Sequence, residues 1–471
     1  MTGVRRTLLR SPIAVIVVFL LARAFVALVP FGLAGYPDGH LVINDVTLYS
    51  SWASWLVDGR FPAADPMWQY PPLAGPIFAL GSMLYPNPDI GFMLLAFIFD
   101  SVTMAALLIA YRRTGNLTGA WLWALAAVII GPIFLTRFDV IPTSLAVLGL
   151  LLLARPLASG ALLGIGAAIK VWPALALAAV PRRRLPLALA GAAAAAIVAV
   201  TGVWLWAGDD SFTFLRGQSK RGLQLESVGA IPFVIAHSLG APVETTYRYG
   251  SMEISSAGTG FAALVVSVLG LAALGALAVA RLSGRLERAA GPDVALTAVA
   301  ISVVASRVFS PQYMIWLLGI GAVCLTWRET RMRSPILLLV IAALLAQVLY
   351  PPLYSDLVTG GVVATVLQVL RVALVLAATV LALRALWQTS RSRTPRARHA
   401  DGGGTSATGA EALSGSTPAS RSTSRAEMAS QRQLDSIQDR PRAPISRAAT
   451  GLDSNSTIRS AAATGSPPGT T

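Results

Sequence analysis

Charge and cysteine are scarce in this chain. Of its 471 residues only 13% are charged and one is cysteine, Cys324, so an intramolecular disulfide framework and a multi-cysteine zinc site are both excluded. Three histidines, His40, His237 and His399, leave little for a metal centre. Lysine is almost missing as well: Lys170 and Lys220 are its two instances, and the arginines gather at the ends of apolar runs. A net charge of +15 would suggest nucleic acid in a soluble protein, but this distribution is the one that orients helices against a bilayer, so no nucleic-acid partner is expected. The sequence also lacks a Gly-rich phosphate loop of the Walker type, an HExxH pair and a DxD carboxylate triplet. Nucleotide-driven and metal-driven mechanisms therefore have no support, and neither a metal nor a cofactor is expected.

What is abundant is apolar surface. With 55% hydrophobic residues the chain is too apolar for a soluble globular protein, and the expectation is an all-α polytopic membrane protein. Arg5, Arg6 and Arg10 precede an apolar run from Pro12 to Leu33, long enough at about 1.5 Å per residue to cross a hydrocarbon core of about 30 Å. That puts the N-terminus in the cytoplasm, ahead of an uncleaved first helix. The run from Pro71 to Tyr85 is short and proline-rich and is not expected to span, whereas Asp89 to Tyr111 is full length and ends in Arg112 and Arg113. Keeping those arginines inside requires one outer loop over about 34–88.

Further runs follow at about 117–135, 139–154, 185–207, 258–280, 293–306, 312–327, 334–350 and 361–387. Residues 157–181, flanked by Arg155 and by Arg182, Arg183 and Arg184, fit two short helices broken near Lys170 and Pro173. The sum is about 12 membrane helices, some short or re-entrant, with a second outer loop at about 208–257 and both termini inside. Residues 1–387 are thus expected to form one transmembrane domain in the cytoplasmic membrane. Residues 388–471, rich in Ser, Thr, Ala, Gly and Arg, are expected to be a disordered cytoplasmic tail.

Several residues could carry chemistry. In the first outer loop Leu48, Trp52, Trp55 and Leu56 share one face of a helix expected to lie flat on the outer surface. Asp45 is either its N-cap or an acid or base held where the bilayer meets water; Asp58 and Asp65 are rivals in the same loop. Arg137 and Asp139, between two apolar runs, either anchor helix ends or contact substrate. Lys170 interrupts an apolar stretch, where an unpartnered cation costs about 2.5–3.5 kcal/mol, and a cation in a half-broken segment suits a phosphate. Arg23 and Asp100 fall near the centres of the first two spans and are expected to pair with each other. Arg221 and Glu226 stand in a charged stretch of the second outer loop, and Arg307, Gln312 and Tyr313 flank the break at Pro311.

Together these segments resemble glycosyltransferase family 87. The resemblance rests on Asp45 with Tyr49, Trp68-Gln69-Tyr70-Pro71-Pro72-Leu73, Arg137-Phe138-Asp139-Val140-Ile141-Pro142, Ala168-Ile169-Lys170-Val171-Trp172-Pro173, Arg221-Gly222-Leu223-Gln224-Leu225-Glu226-Ser227 and Ser310-Pro311-Gln312-Tyr313. Those enzymes belong to the GT-C superfamily and include mannosyltransferases that use polyprenyl-phosphate mannose. The resemblance implies a GT-C-type fold and inverting transfer of a sugar from a polyprenyl-phosphate donor to a glycolipid or cell-envelope polysaccharide acceptor, outside the membrane and without a nucleotide. Mannose is the family's commonest donor sugar, and arabinofuranose is the competitor. By the same resemblance Asp45 is the base. Tyr49, Asp58, Asp65 and Tyr70 are the other first-loop candidates, and Lys170, Arg137, Asp139, Arg221, Glu226, Arg307, Gln312 and Tyr313 are the candidates for binding donor phosphate or substrate, a departing phosphate needing cations and N–H donors. A membrane transporter or lipid-linked sugar flippase is the alternative, since it too would have many helices and polar residues at membrane depth.

Overall fold

The computed structural model describes residues 10–32, 35–215 and 221–391. Arg5, Arg6, Arg216, Lys220 and the expected tail beyond Arg391 lie outside the described residues. The rest is overwhelmingly helical, as it must be where no water can satisfy backbone N–H and C=O groups. Helix α1 (Pro12–Leu28) starts at Ser11, whose hydroxyl accepts a bond from the Ala14 N–H. Helices α2 (Asn44–Val57) and α3 (Ala74–Met83) fill the expected first loop, and α4 (Pro88–Thr114) is capped by the Asn87 side chain.

The expected crossing at 117–135 is divided. Gly131, at φ 84°, and Pro132 end α5 (Thr118–Ile130) before the single turn α6 (Ile133–Thr136). After α7 (Val140–Leu151), the stretch expected to break near Lys170 and Pro173 does so: α8 (Pro156–Ile169) stops, and a 3₁₀ segment, Trp172–Ala179, follows. Helix α9 (Leu185–Ala207) packs back on α8 through small residues. A Cβ on Gly160 would stand 1.9 Å from the Ala188 carbonyl oxygen, and one on Gly164 2.2 Å from that of Ala192, so the two backbones meet directly.

The second expected loop holds α10 (Ile231–Ser238) and a small sheet that an all-α reading does not foresee. Its strands β1 (Leu223–Gln224), β2 (Glu244–Arg248) and β3 (Ser251–Ser255) pair antiparallel in the order β1-β3-β2. The remaining helices are α11 (Thr259–Leu282), α12 (Gly291–Val304), α13 (Tyr313–Thr326), α14 (Arg333–Leu349), α15 (Tyr354–Val358) and α16 (Val362–Arg391). Because α16 continues to Arg391, the tail expected from residue 388 has its first residues in a helix.

Among the described residues five helical stretches are long and apolar enough to cross a membrane: Pro12–Phe31, Pro88–Thr114, Arg182–Phe212, Thr259–Leu282 and Val362–Arg391. Eight further apolar helices have 10–17 residues, so the expected count of about 12 combines full-length with short segments. Arg23 and Asp100 pair as expected, with Nε–Oδ2 at 2.8 Å and Nη2–Oδ1 at 2.9 Å, and Arg23 also donates to the Trp123 and Ala124 carbonyls. This buried bidentate pair ties α1 to α4 and α5.

Helix α2 forms where expected, and the face it buries shares Trp52 and Leu56 with the apolar face read from the sequence. Val46, Tyr49, Trp52, Ala53 and Leu56 are buried, while Trp55 is 36% exposed and Leu48 half-buried. Packing sets this face: Tyr49 stacks on Phe78 of α3 with ring centroids 4.6 Å apart and lies 5.1 Å from Phe92 of α4. A tryptophan at a membrane interface can stay outside such a cluster because its amphipathic ring is stable there.

Candidate active site

Asp45 lies in the first turn of α2, but it does not cap the helix: Ile43 holds the cap position, and no side chain bonds there. Its carboxylate instead pairs with the Arg137 guanidinium. Arg137 is itself extended, between α6 and α7, and it is buried. Its Nη1 donates to the Val42 and Thr136 carbonyls at 3.2 Å, and Nη2 donates to the Tyr350 hydroxyl at 3.3 Å. The arginine thereby fixes the start of α2 against the α6–α7 junction and the end of α14. The Asp45 side chain remains 30% exposed, facing a cavity of about 490 Å³. That volume is within the range of about 300–1,000 Å³ common for small-molecule sites.

Lys170 approaches the same cavity from the broken α8 segment. Pro173 cannot continue a helix, so Lys170 follows α8 in extended conformation. Its Nζ lies 2.7 Å from Asp139 Oδ1, which also accepts from Trp316 Nε1 at 2.6 Å; Asp139 is fully buried and its Oδ2 has no hydrogen-bond partner among the described residues. The ammonium also lies over aromatic faces, 4.5 Å from the Phe138 centroid and 5.2 Å from that of Trp316. Asp139 therefore pairs with Lys170, not with its neighbour Arg137. Trp172, Trp316 and Tyr313 form a stacked row along the cavity wall, with centroids 5.1 and 3.9 Å apart.

Arg221 and Arg307 supply cations of another kind. Both line the cavity, and among the described residues neither has a carboxylate partner. Arg221 Nη2 donates to the Tyr249 carbonyl at 2.7 Å, Arg307 Nη1 donates to the Arg221 carbonyl at 3.3 Å, and Arg221 Nε is buried without a hydrogen-bond partner among the described residues. Strand β1 holds the two together: Gln224 N donates to the Arg307 carbonyl at 2.9 Å and Gln224 Oε1 accepts from Phe309 N at 2.6 Å.

Behind that strand, Glu226 is buried and paired with Arg371 of α16 at 2.6 Å. Gln368 donates to the Glu226 carbonyl at 2.7 Å, and Arg371 Nη2 donates to the Phe309 carbonyl at 3.3 Å. The second loop is thus bolted to the last helix.

The fold brings Asp45, Tyr49, Tyr70, Lys170, Arg221, Arg307, Gln312 and Tyr313 to one cavity, with Arg137 and Asp139 directly behind its wall. Burial and then the negative charge of Asp45 push the Tyr70 hydroxyl pKa well above its ordinary value, so Tyr70 is a neutral hydroxyl there. Glu226, Asp58 and Asp65 are outside the lining. Asp58 is exposed beside Arg60 at 3.4 Å, and Asp65 accepts from Trp52 Nε1 at 2.7 Å and Met67 N at 2.8 Å, closing a turn.

Trp316 and Tyr249 line the cavity although no motif singled them out. Trp316, three residues after Tyr313 on α13, is legible from helical spacing. Arg371 too has a signal, as a cation in the middle of a long apolar run.

No curated protein and no solved structure matches this chain. The model of glycosyltransferase family 87 matches residues 68–311, just over half of it. The matched stretch contains Tyr70, Arg137, Asp139, Lys170, Arg221 and Arg307; the fold adds Asp45 from before it and Gln312 and Tyr313 from after it. Taken with the apolar helices around a cavity of opposed charges, this match assigns the chain, a multi-pass membrane glycosyltransferase, to glycosyltransferase family 87.

Proposed function

We propose that this glycosyltransferase moves a sugar, mannose by first preference, from a polyprenyl-phosphate donor to a hydroxyl of a glycolipid or envelope polysaccharide on the outer face of the cytoplasmic membrane. The observation that carries the reading is the charge arrangement of the cavity: one part-exposed carboxylate, Asp45, together with two arginines, Arg221 and Arg307, that have no carboxylate of their own among the described residues. Lys170 already has Asp139, so it adds less uncompensated charge. An anionic ligand is what such a site lacks, and a phosphate accepts well from guanidinium groups.

In this mechanism Asp45 takes the proton from the acceptor hydroxyl as that oxygen attacks the anomeric carbon. The carbon–oxygen bond to the phosphate breaks, and its electron pair leaves with the polyprenyl phosphate. One displacement inverts the anomeric centre. Arg137 orients the base, and Arg221 and Arg307 stabilise the charge that develops on the departing phosphate. The aromatic row of Trp172, Trp316 and Tyr313, with the exposed Val171 and Leu215 at the rim, offers apolar surface for the first isoprene units.

The test is donor choice. Protein in liposomes is supplied with radiolabelled polyprenyl-phosphate mannose, polyprenyl-phosphate arabinose or GDP-mannose, each with a mixed glycolipid acceptor fraction. Transfer from a lipid-phosphate donor, unaffected by EDTA, is expected. Transfer from the nucleotide sugar alone would overturn the reading.

A further inference from the structure

The turn joining β2 to β3 has an unusual occupant. Arg248 pairs with Ser251, leaving a two-residue loop of Tyr249 and Gly250, and both have positive φ, 50° and 75°. A two-residue hairpin turn of this kind favours Asn-Gly, because Asn tolerates the left-handed region and a bulky aromatic residue does not. Tyrosine at the first position therefore costs local stability.

The backbone bonds do not account for it. The Tyr249 carbonyl accepts from Gln69 Nε2 at 2.9 Å and from Arg221 Nη2 at 2.7 Å, but any residue would offer that carbonyl. What distinguishes tyrosine is its side chain. Tyr249 is half-buried and lines the cavity of Asp45 and Arg221, and its hydroxyl has no hydrogen-bond partner among the described residues. The two carbonyl bonds pin the turn to the first loop through Gln69 and to the second through Arg221.

We propose that Tyr249 is a substrate-binding residue whose ring and free hydroxyl contact a sugar ring in the cavity. An aromatic face covers the apolar C–H side of a sugar, and the hydroxyl bonds one of its oxygens. The inference rests on the glycosyltransferase reading of this cavity, and the shared ligand chemistry is a sugar ring, brought either by the donor or by the acceptor.

The experiment compares Tyr249→Asn, which suits the turn, and Tyr249→Phe, which keeps the ring, with the wild-type protein. Melting temperature is read first. Tyr249→Asn is expected to melt at or above the wild-type temperature, because the turn is relieved. In the transfer assay it is expected to raise KM at least tenfold for one substrate, while Tyr249→Phe changes it by less. A raised KM for the polyprenyl-phosphate mannose places the donor's sugar on Tyr249, and a raised KM for the glycolipid places the acceptor's. A donor-independent arm uses methyl α-mannoside and methyl α-arabinofuranoside as probes of tryptophan fluorescence, since Trp52, Trp172 and Trp316 line the same cavity.

Saturable changes in wild type that are lost in Tyr249→Asn support the proposal even if polyprenyl-phosphate mannose is not the donor. Equal KM values and equal probe responses in a stable Tyr249→Asn protein would overturn it, as would a Tyr249→Asn protein that melts well below wild type.

Discussion

Asp45 and Arg137 act as a unit. The arginine is buried and the carboxylate part-exposed, so removing the arginine leaves the acid in the cavity without its fixed partner, whereas removing the acid leaves a buried cation uncompensated. Arg137→Met is accordingly expected to lower kcat while changing donor KM little, because the base loses its aim and the phosphate contacts remain. Arg221→Ala and Arg307→Ala act on the donor phosphate both as it binds and as it departs: each is expected to raise donor KM and to lower kcat/KM about tenfold or more, consistent with about 1.5–3 kcal/mol for a hydrogen bond to a charged group. Steady-state kinetics on reconstituted protein separates the two classes. The acidic residues were legible as candidates from composition alone, since so few charges occur. Which one faces a cavity was not legible, because Asp45, Asp58 and Asp65 share one loop, and only packing puts Asp65 under Trp52 and Asp58 in the open. The same holds for Lys170: its anomaly shows in the sequence, but its partner Asp139 is 31 residues away and is set by the break at Pro173.

Between elements, the Glu226–Arg371 pair is the joint that keeps the charged loop segment on the helix bundle. Breaking a buried ion pair from one side costs on the order of 3–5 kcal/mol, while replacing both partners by apolar groups is far milder. Glu226→Gln and Arg371→Met are each expected to lower the melting temperature and reduce transfer, and Glu226→Met with Arg371→Met to recover most of the stability. A double mutant no more stable than either single one would contradict this. The joint also explains how residues around 221 and 307 meet, since β1 bonds the backbone of both Arg307 and Phe309. Helix positions were readable from apolar run lengths and arginine clusters. The sheet was not, because its strands are short and its first strand is only two residues long, too little for an alternating pattern to register. The buried face of α2 was not legible for a related reason: tryptophan is stable both in a core and at an interface, so its spacing does not tell which.

For the whole molecule, transfer on the outer face requires a direction across the bilayer. Arginine clusters at 182–184, 281–288 and 328–333 would face the cytoplasm, and α2, the small sheet and the cavity would face outward. Single cysteines report this, because the native Cys324 is buried. In intact cells a membrane-impermeant maleimide should label Asp58→Cys and Glu244→Cys, and should label Arg183→Cys and Arg285→Cys only after permeabilisation; the opposite pattern would turn the site inward and remove an outer-face transfer. The match to the family covers the middle of the chain, and the fold completes the cavity with residues from both sides of that stretch, so the base contributed from outside it is the claim most open to test. The decisive measurement is the rate of sugar transfer from polyprenyl-phosphate mannose by reconstituted Asp45→Asn protein, beside Asp58→Asn and Asp65→Asn at matched melting temperature. A loss of about 10²–10⁴-fold confined to Asp45→Asn is predicted, the usual contribution of a positioned base; transfer by Asp45→Asn at the wild-type rate would contradict the account.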